Sequence, residues 1–166
     1  MQNAAFDLAA SATLWEEYRA AHPERALDTE PPSVDRFGDA PALTDELLGL
    51  VLDGPKRATA GLLHEFVEDG IPLPRIGSHW IACDSAGRPQ AILRSVELRV
   101  GPFTSVDAAF AFDEGEGDRT LESWRDEHRR YYTRSGERLG FTWTEQMEIV
   151  FERFEVVWRA SSPVAS

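Results

Sequence analysis

Met147-Glu148-Ile149-Val150-Phe151-Glu152-Arg153-Phe154-Glu155-Val156-Val157-Trp158 is the stretch on which the fold turns. Met147, Ile149 and Phe151 keep one alternating phase, and Phe154, Val156 and Trp158 keep the other. The segment therefore reads as one long strand whose phase slips near Glu152-Arg153. A slip of that kind predicts a β-bulge, which lets a sheet bend toward a barrel. Upstream, residues 79–83 and 90–100 read as two strands around Asp84-Ser85-Ala86-Gly87-Arg88, a hairpin of the longer-loop type. In the second of these strands Arg94 shares a face with Ile92 and Val96. It is either a strand-end arginine reaching water or a cation aimed into an enclosed cavity.

The rest of the chain alternates helices with connectors. Thr13-Leu14-Trp15-Glu16 has the form of a capping box, and Leu14, Trp15, Tyr18 and Ala21 follow on one face, predicting a helix from Thr13 to near His22-Pro23. Residues 23–36, with Pro23, Pro31 and Pro32 among charges, predict a surface connector. A second helix fits 43–53 and is stopped by Asp53-Gly54-Pro55, while 58–66 suits helix and strand equally. A short helix is expected at 106–112. Thr120 then caps a third, whose Leu121, Trp124, His128 and Tyr131 share a stripe until Gly140. The sum is an α+β protein: a small curved sheet with helices at its sides, preceded by a helical N-terminal extension.

Composition narrows the function. At 166 residues, 42% hydrophobic and 28% charged, the chain fits one globular domain. No apolar run approaches a membrane span, and Met1-Gln2-Asn3-Ala4-Ala5 lacks the basic and apolar regions of a secretory signal, so a cytoplasmic protein is expected. A single cysteine, Cys83, excludes an internal disulfide and any multi-cysteine zinc site. The net charge of −12 argues against a duplex-DNA groove, which needs many cations to displace counterions, but leaves room for a local cationic pocket holding one or a few nucleotides. Of seventeen basic residues, Lys56 is the only lysine. The bland reading is a coding bias toward arginine that left one lysine by accident; the functional one is that a lysine survives where arginine cannot serve, in a tight space or where the amine must lose its proton.

Three constellations carry candidate chemistry. Gly54-Pro55-Lys56-Arg57-Ala58-Thr59 places an amine and a hydroxyl three residues apart. It is not a phosphate-binding P-loop, because Arg57 stands where a Ser or Thr must follow the lysine. A desolvated Lys56 takes a proton, a charged one holds a phosphate or an oxyanion, and the bland alternative is a basic helix end. Residues 113–118, Asp-Glu-Gly-Glu-Gly-Asp, resemble a cation loop without EF-hand spacing, and equally a solvated turn before a helix. One inward glutamate, such as Glu116, would serve as acid or base beside Lys56. Trp124 and His128 lie one helical turn apart, where a satisfied core histidine is the plain alternative to a ligand. The only basic patch, Arg125 to Arg138 with Tyr131 and Tyr132 interleaved, suits base stacking or a solvated helix face. His64-Glu65-Phe66-Val67-Glu68 lacks the second histidine of a zinc helix, and there is no Gly-x-Ser-x-Gly elbow.

Taken in order, Phe37, the run from Leu50 through Lys56 to Thr59, Pro74-Arg75-Ile76-Gly77, Glu114-Gly115-Glu116-Gly117-Asp118, Trp124 with His128, and Phe154-Glu155-Val156-Val157 resemble the ASCH domain family. The resemblance implies a PUA-like small β-barrel over 37–160, behind an extension at 1–36 and before a tail at 161–166. It implies a cleft in which Lys56, Thr59 and a glutamate, Glu116 or Glu114, converge as catalytic residues, with Arg57, Arg94, Trp124 and His128 binding substrate. It further implies single-stranded RNA or a nucleoside-like small molecule as partner and a ribonuclease-like hydrolase as activity. Neither metal nor other cofactor is expected, nor duplex DNA or a membrane. The alternatives are an amidohydrolase acting on acylated cytidine and a non-catalytic RNA- or nucleotide-binding module. The oligomeric state is left open.

Overall fold

The computed structural model describes residues 2–26 and 31–161. The expected tail at 161–166 lies outside the described residues apart from Ser161, as does the 27–30 stretch of the connector. The elements in chain order are α1 (Leu8–Ala21), β1 (Ser33–Asp35), α2 (Pro41–Leu52), β2 (Ala58–Leu62), α3 (Leu63–Glu68), β3 (His79–Cys83), β4 (Pro89–Pro102), a 3-10 turn (Phe103–Ser105), α4 (Ala108–Glu114), α5 (Leu121–Leu139) and β5 (Glu148–Arg159). The strands are ordered β1-β3-β4-β5-β2. The chain forms two compact units: Met1–Asp53, Gly77–Ser95 and Glu155–Ser166 make the first, and Gly54–Ile76 with Val96–Phe154 the second.

In the first unit α1 begins earlier than the capping box at Thr13 predicts. Asp7 is the N-cap, its carboxylate accepting from the Ala10 N–H at 2.9 Å. Thr13 is mid-helix, its hydroxyl spent on the Ala9 carbonyl. An aspartate one turn and a half upstream offers the same cap with a charge that suits the helix dipole, so it wins. Leu14, Trp15 and Tyr18 are buried against Ile81, Cys83 and Ile92, which makes the extension's helix part of this unit's core. The expected connector hides a strand: Ser33, Val34 and Asp35 pair in parallel with Trp80, Ile81 and Ala82. The hairpin of β3 and β4 forms as read, with a register shift at Ala82/Cys83. Asp84 closes its loop by accepting from the Arg88 N–H and Nε, each at 2.9 Å.

In the second unit the ambiguous stretch at 58–66 is both things in turn, β2 running directly into α3. β2 pairs antiparallel with β5 from Ala58↔Arg153 to Leu62↔Ile149 without interruption. The bulge expected at Glu152-Arg153 is therefore absent from this ladder. Ile149, Val150, Phe151, Glu152 and Phe154 are all buried, so β5 is covered on both faces, and that erases the alternation on which the phase reading rested. Ala58, Leu62, Phe110, Trp124, Tyr132, Ile149 and Phe151 belong to one core cluster. The helix expected at 106–112 runs two residues further, capped by Asp107 and ending at Gly115 with φ +70°. α5 is framed by Thr120 and Gly140 as expected, but Tyr132 and not Tyr131 fills the stripe below His128.

Candidate active site

Lys56 stands two residues before β2, and its side chain is 1% exposed. Its Nζ donates to the Ala58 carbonyl at 2.9 Å and to Glu116 Oε1 at 2.5 Å, with Glu114 Oε1 at 3.7 Å. Every one of these neighbours is an acceptor, and the amine is the donor among them. β2 ends the strand order, and Arg57 and Thr59 face the β5 ladder, the Arg57 carbonyl accepting from the Phe154 N–H. The backbone groups of Ala58 and Ala60 thus point out of the sheet. Lys56 takes the first, and Glu114 accepts from the Ala60 N–H. The lysine and the glutamate replace the missing neighbour strand.

The two glutamates reach Lys56 because α4 ends between them. Glu114 belongs to the last helical turn, and the left-handed Gly115 reverses the chain so that Glu116 returns from the other side. A Cβ on Gly115 would stand 2.8 Å from the Lys56 nitrogen and 2.9 Å from its Cα, so only glycine permits this approach. The Arg57 N–H, donating to the Asp113 carbonyl at 2.8 Å, ties the two segments together.

Two carboxylates of the six-residue acidic stretch are engaged by neighbouring protein groups. Asp113 is paired with Arg153 at 2.8 Å, and Asp118 caps the following turn by accepting from the Thr120 N–H and hydroxyl. Among the described residues, no group of three or more His, Cys, Asp or Glu side chains is disposed to hold a metal ion.

Glu114 is saturated with donors. Its Oε2 accepts from the Trp124 Nε1–H and faces His128 Nε2 at 3.3 Å. Burial pushes its carboxyl up, but the His128 and Lys56 charges and the His128 and Ala60 hydrogen bonds outweigh this and hold it below the ordinary carboxylate range. Burial likewise pulls His128 down, and the Glu114 charge and hydrogen bond, the Glu116 charge and the Trp124 carbonyl leave it above its ordinary value. Glu116 is 27% exposed where Glu114 is 2%, so Glu116 is the carboxylate that meets solvent and Glu114 the one locked inside.

Lys56, Glu114, Glu116, Trp124 and His128 therefore converge, the last two on Glu114. Thr59 stands opposite Glu152 in the register, on the face of β2 away from Ala58 and Ala60, and no hydrogen bond joins it to the Lys56 amine. Arg57 is exposed and returns its Nη1 to the Lys56 carbonyl. Arg94 belongs to the first unit, where it lies within β4 opposite His79, not at a strand end, and is paired with Glu155 at 3.2 Å and 36% exposed. Tyr132, read from the sequence as part of the basic patch for base stacking or a solvated face, is instead buried: its phenol lies below His128, and burial with the Glu114 charge drives it well above the ordinary tyrosine range. No described helix is long and apolar enough to cross a membrane.

A family model for the ASCH domain matches residues 33–158. The chain is similar to the crystal structure of an ASCH domain from Lactobacillus crispatus JV V101, with 27% identity over 91% of this chain and 96% of that one and a TM-score of 0.81. It is also similar to a protein from Enterococcus faecalis V583, with 29% identity over 92% and 90% of the two chains and a TM-score of 0.82. Among curated proteins none matches. The α+β fold with a small β-barrel expected from the sequence stands, and the chain belongs to the ASCH domain family.

Proposed function

We propose that this site belongs to a metal-independent amidohydrolase that removes an acyl group from a small, uncharged, nucleoside-like substrate. The observation that carries the reading is the Lys56–Glu116 ion pair, 2.5 Å long, standing at the partly exposed edge of a buried charge cluster. Glu116 takes a proton from a water whose oxygen attacks the acyl carbon. The Lys56 ammonium faces the oxyanion that forms. As the C–N bond breaks, Glu116 returns the proton to the leaving amine, giving a carboxylic acid and a free amine.

Charge favours this over a phosphodiester substrate. Lys56 is already neutralised by carboxylates, and a phosphate would meet Glu116 first. The arginines of α5 are also engaged by acids: Arg129 with Asp126 and Glu145, Arg130 with Glu127, Arg138 with Glu65. That leaves less charge to guide an RNA strand. The test is incubation with N-acetylcytidine and with single-stranded RNA in parallel, products separated by chromatography, for wild type, Lys56→Ala and Glu116→Gln. Acetate and cytidine from wild type alone support the reading. Lysine-dependent RNA fragments with intact acetylcytidine replace it with a ribonuclease.

A further inference from the structure

The Trp124 carbonyl accepts but cannot donate, so His128 Nδ1, 2.9 Å away, carries a hydrogen. The other ring nitrogen, Nε2, stands 3.3 Å from Glu114 Oε2. A bare lone pair turned on a carboxylate oxygen at that distance repels it, so a second hydrogen lies between them. The ring cannot turn aside to relieve the contact, because it stacks on the Trp124 indole at 3.9 Å between centroids and 14° between planes. The charged and titratable groups that face it are Glu114 from α4, Glu116 from the following loop and the Tyr132 phenol from α5, with Lys56 beyond Glu114.

We infer that His128 is a positioning residue, held as an imidazolium, whose charge keeps Glu114 ionised and sets how Lys56 divides itself between the two glutamates. Two cations, Lys56 and His128, then balance two carboxylates within one buried cluster. With its own cation in place, Glu114 does not draw Lys56 in, and the amine lies 3.7 Å from Glu114 but 2.5 Å from Glu116. Without the imidazolium, Glu114 has Lys56 as its only cation, and the amine retreats inward from Glu116. This assigns His128 to the interior of the site, not to substrate binding. Its consequence for turnover rests on the proposed hydrolysis, but the protonation state itself does not.

The experiment is a long-range proton–nitrogen NMR titration of the 15N-labelled full chain from pH 5 to 9, with no substrate present. Both His128 nitrogens are expected to keep imidazolium shifts at pH 7.5, and in Glu114→Gln the Nε2 signal should become that of a bare nitrogen by pH 7. The wild-type spectrum decides even where the variant fails to fold: a bare Nε2 at pH 7.5, with the Trp124 indole N–H still hydrogen-bonded, overturns the inference. On an active substrate, His128→Gln should move the acid limb of the rate profile upward, on the order of one pH unit, and lower kcat more than it changes KM. An unmoved limb removes the positioning role. An imidazolium in a protein that cleaves no acyl amide leaves the inference standing and overturns the hydrolase reading instead.

Discussion

Gly115 and Gly140 allow a controlled test of how Lys56 is seated. Both end a helix in the left-handed region, at φ +70° and +80°. They differ in surroundings: a Cβ at Gly140 meets nothing within 4 Å, whereas at Gly115 it would lie 2.8 to 2.9 Å from backbone atoms of Pro55 and Lys56. Gly140→Ala therefore carries only the conformational cost of a left-handed alanine, about 1 kcal/mol. Gly115→Ala carries that plus an overpacking cost of about 1–3 kcal/mol, because backbone cannot swing aside as a side-chain tip does. Urea denaturation with both variants fitted to the wild-type slope should separate them by about 2 kcal/mol. In thermal melts the same gap is roughly 4–8 °C for a chain of this size. Only Gly115→Ala should also abolish Lys56-dependent turnover, since relief of the clash moves Glu114 and Glu116 off the amine. Equal midpoints for the two alanines would refute the claim that the close approach of α4 to Lys56 seats the site.

Further outcomes follow from the same geometry. Lys56→Arg should abolish turnover, because the longer, forked guanidinium does not fit a position 1% exposed between two carboxylates; retained turnover would show that any cation suffices. Stability should fall at both pH extremes. The raised His128 contributes fully below its unfolded value and loses that contribution as pH rises through its folded one, while the lowered Glu114 loses its contribution as pH falls through its folded value. Urea midpoints measured from pH 4 to 9 should therefore peak between, and in His128→Gln the alkaline decline should flatten. Burial, with little relief from Ser11 and Arg36, pushes the Cys83 thiol up to about 11, so a disulfide reagent at pH 8 should label it only in denaturant; rapid labelling of the native protein would contradict its burial.

What the sequence disclosed and what it withheld divide along physical lines. The hairpin strand at 79–83 and the Thr120 and Gly140 ends of α5 were legible because alternation and capping are local chemistry. Lys56 was legible from composition alone, as the one lysine among arginines. Three residues of β1 carry no readable period, and their strand exists only because Trp80, Ile81 and Ala82 lie beside them. Tyr131 and Tyr132 are both helical neighbours of His128, and burial chose the latter. Glu114 and Glu116 could not be told apart because their roles depend on where α4 stops, and the stop is set by a left-handed glycine against Lys56. Trp124 and His128 could be read as core or as substrate contacts, because the Glu114 carboxylate that both of them meet comes from another helix.

The outward edge of β2 has a meaning for solubility. A strand with open amides and carbonyls invites a second molecule to pair with it, and proteins blunt such edges with charge. Here the plug is made of charged side chains of the candidate site itself, with the Ala58 carbonyl and the Ala60 N–H stoppered by Lys56 and Glu114. Removing the lysine would also unseal the Ala58 carbonyl as a place for self-association, so a Lys56→Ala variant that clumps and one that only loses the proposed turnover would have a common origin.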